Sequence, residues 1–194
     1  MTETTTDGGV VSPPGEGETT RLFGDTYTIK AAGGQTGGSL AVIEAELAPH
    51  SGGTPLHVNT LEDENYYVTD GTLTFRLGER TVEAPAGTFV HIPKGLVHTH
   101  WNATGAPVGL VAFPAPAGFE AFFADLAGLM DGMPPGPPDM GKIAAFYEGY
   151  GLRVVGPPPA ASADRRRPGR HAANGRPSGQ DQSYFPEPPF YEVR

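Results

Sequence analysis

Glycine and proline decide what this chain can become. It holds 28 glycines and 21 prolines in 194 residues. Between residues 21 and 115 they separate short β-prone runs: Thr26–Lys30, Leu40–Leu47, Glu64–Thr69, Thr72–Leu77, Thr88–Ile92 and Val108–Phe113. The breaks fall at Gly33-Gly34, Gly37-Gly38, Gly52-Gly53, Asp70-Gly71, Gly78, Gly87, Pro93–Gly95 and Gly105. Many short strands at near-regular spacing predict an all-β sandwich or barrel. Asp70-Gly71 between two such runs predicts a hairpin, because glycine accepts the positive φ of a tight turn.

The character changes after Ala115. Phe119, Phe122, Phe123, Leu126 and Leu129 recur at spacings of three and four, which is the helical period. This stripe predicts a helix over Gly118–Met130 docked by its aromatic face. Pro134–Pro138 is a rigid break, after which Asp139 can cap a second helix through Tyr150 that ends near Gly151. Both helices are expected on the outside of the barrel. Four segments follow: a flexible leader over 1–20, a barrel over 21–115, a helical extension over 116–157 and a disordered tail over 158–194. Both ends are too poor in apolar residues to offset the entropy of ordering, although Tyr184–Val193 interleaves aromatics with proline and could dock.

Composition narrows the function classes. No cysteine is present, so disulfides and thiolate metal sites are excluded. No apolar run reaches the roughly 20 residues of a membrane helix, and the polar, acidic start lacks the pattern of a signal peptide. The expected location is cytoplasmic, with no membrane partner. Residues 160–194 carry six arginines against four carboxylates, a net of +2, which leaves −11 for the remainder. An acidic body repels polyanions, so no nucleic-acid partner is expected. Arg165-Arg166-Arg167 reads as a solvated part of the tail.

Two clusters carry chemistry. His57 and Asn59 are two apart and so share one face of a strand. Glu64 opens the next run, and a hairpin joining the two strands would bring its carboxylate beside His57. The second cluster lies in Gly87–Asn102, where Pro93-Lys94-Gly95 precedes His98 and His100, again two apart. Imidazole and carboxylate donors suit Fe, Mn, Ni, Co, Cu or Zn, and the donor types alone do not choose among them. His50, His91 and His171 read as structural or solvated. Glu62 and Asp63 are expected to face solvent, and Tyr66 and Trp101 to pack or else to line the cavity.

These clusters resemble the paired motifs of the cupin family. Gly53 to Gly71, with His57, Asn59 and Glu64, is similar to the first motif, which runs Gly, His-x-His, Glu, Gly. Gly87 to Asn102, with Pro93, Gly95, His98 and Asn102, is similar to the second. Glu62-Asp63-Glu64-Asn65-Tyr66-Tyr67-Val68 and Pro116–Phe123 further resemble single-domain quercetin 2,3-dioxygenase-like cupins. The resemblance covers about residues 21–157. It implies a small jelly-roll barrel with C-terminal helices. It also implies a divalent metal held by His57, Asn59, Glu64 and His98. Asn59 departs from the motif, which carries a histidine there, and an amide oxygen is the poorer donor to a transition metal. His100 is the candidate replacement, since it shares a strand face with His98.

The function so implied is a quercetinase-like dioxygenase acting on a small enolisable or aromatic substrate. Glu64 would serve as ligand and general base, and Phe75 and Phe89 would line an apolar cavity. The alternatives are a non-catalytic small-molecule-binding cupin and a metal-assisted cyclase or isomerase of a biosynthetic pathway. The expected partner is a small-molecule substrate, with a homodimer as the assembly allowed for.

Overall fold

The computed structural model describes residues 9–134 and 139–158. The expectations for residues 1–8 of the leader, for Pro135–Pro138 and for the tail beyond Pro158, including Arg165–Arg167, His171 and Tyr184–Val193, lie outside the described residues.

Eleven strands are present among the described residues, with two helices longer than one turn. They form two antiparallel sheets. The six-stranded sheet is ordered β1 (Glu18–Leu22), β2 (Asp25–Ala31), β3 (Val42–Leu47), β10 (Val108–Ala112), β5 (Glu64–Asp70), β8 (Phe89–Ile92). The five-stranded sheet is ordered β11 (Leu152–Gly156), β4 (Leu56–Asn59), β9 (His98–Trp101), β6 (Thr72–Leu77), β7 (Arg80–Pro85). The two sheets close as a jelly roll. Their inward residues make one core of Ala45, Leu47, Val68, Leu73, Phe75, Val90, Ile92, Val108 and Leu110 with their neighbours. The alternation that places them is visible on β8, where Val90 and Ile92 are buried while Phe89 and His91 face out.

Three expectations are corrected here. Asp70-Gly71 does not close a hairpin, because β5 and β6 belong to different sheets. Gly71, at φ +74°, turns the chain from one layer into the other, and β6 makes its hairpin with β7 through Gly78-Glu79. The same topology rules out a hairpin between β4 and β5. Glu64 reaches His57 from the opposing sheet, across the barrel interior. Third, β1 begins at Glu18, inside the segment assigned to the leader. Its pairing from Glu18↔Ile29 to Leu22↔Asp25 supplies the backbone partners that composition alone did not promise. The Lys30 ammonium also donates to the carbonyls of Pro13 and Glu16, both at 2.6 Å.

The extension contains the two expected helices, α2 (Ala121–Asp131) and α3 (Met140–Gly149); a single turn over Gly33–Thr36 forms α1. Asp139 caps α3 by accepting from the amides of Gly141 and Lys142. Phe122, Leu126, Leu22 and Leu152 centre an apolar cluster on the outside of the sheets. The extension does not end as a helix: β11 follows and joins the five-stranded sheet beside β4. Among the described residues no helix is long and apolar enough to cross a membrane.

Candidate metal centre

The two motifs are held together by short backbone contacts. β4 and β9 pair at His57↔His98, which places both imidazoles side by side with ring centroids 4.3 Å apart. The turn after β4 docks on the loop before β9: the Gly95 amide donates to the Asn59 carbonyl at 2.8 Å, and the Lys94 amide to the Asp63 carboxylate at 2.9 Å. Gly53, at φ +72°, lies so close under β9 that a Cβ would collide with the His100 carbonyl. Only glycine permits that approach.

His57, Glu64 and His98 each offer one donor atom, and these atoms lie within 4.8 Å of one another. All three residues are buried. Both imidazoles are tethered in the same way. His57 Nδ1 donates to the Pro55 carbonyl at 2.7 Å and His98 Nδ1 to the Leu96 carbonyl at 2.9 Å. A carbonyl can only accept, so each Nδ1 carries a proton and each Nε2 is left for the interior. Such a second partner is the usual orienting device of a metal-bound histidine.

His98 Nε2 lies 2.7 Å from Glu64 Oε2. With both nitrogens facing acceptors, His98 holds two protons and forms an imidazolium–carboxylate pair with Glu64. Burial alone would lower the His98 pKa, but the Glu64 hydrogen bond and charge raise it above the ordinary value. Burial alone would raise Glu64. The His98 hydrogen bond and the charges of His98, His57 and His100 outweigh it and bring Glu64 down to about 2. Burial and the charge on His98 lower His57. The donor set therefore fits a divalent cation that takes the place of the His98 Nε2 proton.

Four further residues stand at this end of the barrel. Asn59 is 1% exposed and donates through Nδ2 to Glu62 Oε1 at 2.8 Å. Its Oδ1 is buried without a partner among the described residues. Glu62, expected in solvent, is 4% exposed. Burial and the Glu64 charge raise its pKa to about 7, against the pull of the Asn59 hydrogen bond. The Glu62-Asp63-Glu64 run alone does not tell which of three acids turns inward. The signal that could have found Glu62 is its spacing of three from Asn59, within one tight turn. Tyr66 lies among the site residues: its ring is 5.4 Å from Phe75 and 5.2 Å from His100, and burial and the Glu64 charge raise its pKa well above the ordinary value.

His100 is buried too, but it is not one of the three converging residues. Its ring sits against Tyr66 and Phe75, its Nδ1 has no partner, and burial lowers its pKa to about 4. Phe75 is fully buried in the core, whereas Phe89 is 59% exposed on the outer face of edge strand β8 and lines nothing inside. His50 and His91 are exposed, as expected, and Trp101 is half-buried.

The family profile described as Cupin domain matches residues 43–114. No curated protein is significantly similar in sequence. Among solved structures, a predicted oxalate decarboxylase from Thermotoga maritima aligns with a TM-score of 0.51 at 18% identity, covering 55% of this chain and 99% of that one. KdgF from a Halomonas species aligns with a TM-score of 0.50 at 18% identity, covering 58% and 98%. At such identities the likeness is one of fold. The matched span runs from β3 through β10 and holds the interior cluster between two jelly-roll sheets; over these residues the chain carries a Cupin domain.

Proposed function

We propose that this cupin is a metal-dependent enzyme, a quercetinase-like dioxygenase, acting on a small enolisable or aromatic substrate. The observation that carries the reading is the convergence of two tethered imidazoles and one carboxylate at a single buried point. Two histidines and a carboxylate with open positions are the donor set of non-haem iron oxygenases. His57, Glu64 and His98 would hold the ion, which supplies a Lewis acid for a substrate oxygen and, if redox-active, the chemistry of O₂.

Glu64 is assigned two duties, ligand and base. Its pKa of about 2 suits the first, since the carboxylate is fully charged at neutral pH. A base is most effective with a pKa near the working pH, and Glu62, raised to about 7, meets that condition beside it.

A second reading has its own support. The His98–Glu64 pair is satisfied without an ion, as in a barrel that binds a small molecule without catalysis. Metal analysis of the purified chain, followed by oxygen uptake with a flavonol, separates the two. The enzyme reading expects bound metal and flavonol-dependent uptake that a chelator abolishes. Protein that neither carries nor accepts metal sinks it in favour of the binding module. Bound metal with no uptake points instead to a cyclase or isomerase.

A further inference from the structure

We propose that Glu62 is a positioning residue that locks the Asn59 amide, so that Asn59 Oδ1 is presented as a neutral oxygen donor to the ion held by His57, Glu64 and His98. This rests on the metal-site reading and adds to it a residue that no cupin motif marks.

The argument begins with an imbalance. Asn59 and Glu62 are both buried, and Nδ2 of one meets Oε1 of the other at 2.8 Å. The carboxyl oxygen accepts, so it selects the nitrogen end of the amide and leaves the oxygen end pointing away. Among the described residues that oxygen is buried with no hydrogen-bond partner, and a native fold seldom leaves a buried acceptor so. Apolar residues at 59 and 62 would fill the same space without an orphan, so packing does not explain the pair. A cation does.

Placement agrees. Asn59 lies two residues from His57 on β4, so their side chains share a face. The strand is fixed there on both sides, with Leu152↔Asn59 on β11 and the Gly95 amide on the Asn59 carbonyl. Asn59 also occupies the position where the resembled motif has a histidine. An amide oxygen is a weak ligand, and two features of Glu62 compensate. It removes the freedom of the amide to flip, and its acceptor on Nδ2 draws electron density toward Oδ1, as outer partners of ligands do.

The test uses the full chain, Co²⁺ as the probe, chelator competition for affinity and the visible spectrum for ligand geometry. Glu62→Ala and Asn59→Ala should each weaken Co²⁺ binding about 10- to 100-fold and shift the spectrum alike. The double variant should bind no more weakly than Asn59→Ala, because both remove one contact. Glu62→Gln, whose Oε1 can still accept from Nδ2, should stay within about threefold of wild type with an unchanged spectrum. Should Glu62→Ala fail to fold by circular dichroism, Glu62→Asp, which withdraws the acceptor by one methylene, is read in its place. Additive losses in the double variant, or a Glu62→Gln as weak as Glu62→Ala, overturn the proposal by giving Glu62 an independent or purely ionic role. If wild type binds and His98→Ala does not, while Glu62→Ala binds normally, the positioning role alone falls. If wild type fails to bind Co²⁺, the metal-site reading falls and takes this one with it.

Discussion

The polar end of the barrel is buried and the aromatic cap beneath α2 and α3 is half-buried around Phe122, and the two are built on opposite terms. In the cap, Phe119, Phe122, Phe123, Phe146, Tyr147 and Tyr150 meet ring to ring, mostly edge-on or tilted, and Tyr27 stacks on Phe123 at 4.1 Å. The Tyr150 hydroxyl donates to Asp125, and among the described residues no buried polar side-chain atom of the cap is left without a partner. In the barrel, His57, Asn59, Glu62, Glu64, His98 and His100 crowd together. The two buried side-chain atoms without partners among the described residues, Asn59 Oδ1 and His100 Nδ1, are both there. One region minimises its own energy; the other keeps unmet polar groups, as sites do at some cost in stability.

If that contrast holds, mutations in the two regions should separate stability from binding. Phe122→Ala removes the ring that contacts the five other cap aromatics. It should cost about 3–5 kcal/mol in urea unfolding, the largest effect here. A loss under about 1 kcal/mol would show the cap to be loosely packed and undo the comparison.

His57→Ala should do the reverse. Metal affinity should fall by more than about 100-fold, beyond what loss of an outer partner gives, while the melting temperature of the metal-free protein changes little. Isothermal titration with Co²⁺ or Zn²⁺ reads the first and a thermal melt the second. A large stability loss with unchanged affinity would make His57 a core residue.

Glu62 gives a smaller, pH-dependent effect. In the metal-free protein its pKa rises from 4.5 to about 7 on folding. Within that window the folded state holds the extra proton. Glu62 therefore costs stability as pH rises through it, and its stabilising protonated form is complete only below the lower value. Glu62→Gln cannot ionise, so it should gain on wild type between about pH 5 and about pH 8, on the order of 1–3 kcal/mol. Parallel stability curves for the two proteins would refute the buried carboxyl.

The smallest change sharpens the comparison from outside. Phe89 pairs with Tyr67 on the exposed side of β5 and β8. Phe89→Ala should shift stability by no more than about 0.5 kcal/mol and leave metal binding untouched. A change in oxygen uptake or affinity would restore Phe89 to the site.

How much of this was readable in advance depends on which interactions fix each part. His57, Glu64 and His98 were legible because donor types and spacing within two motifs identify them without knowing the topology. The cap helices were legible because the stripe from Phe119 to Leu129 follows a local period. What the sequence hid was set by distant partners. The Asp70-Gly71 bend reads the same whether it closes a hairpin or crosses between sheets. Glu62 turns inward only because Asn59 receives it. Phe89 could have been placed outside from its own strand, since Val90 and Ile92 already claim the inner face. Leu152–Gly156 was absorbed into a helical extension because one short run beside a proline-rich tail says nothing of its pairing.

That last strand alters what counts as the unit that evolution or an engineer can move. β4, which bears His57 and Asn59, meets its barrel neighbour β9 in register at a single pair, His57↔His98, but β11 at four, from Leu152↔Asn59 to Gly156↔Leu56. β11 is in turn tied through Leu152 to the aromatic cap. The family-matched span stops at residue 114, so the portion that carries every donor is not the portion that keeps them in place. A shortened chain ending there would retain the motif and lose the scaffold of its first strand. Among the described residues the last strand acts as a keystone, and grafting the barrel alone would transplant a site without its foundation.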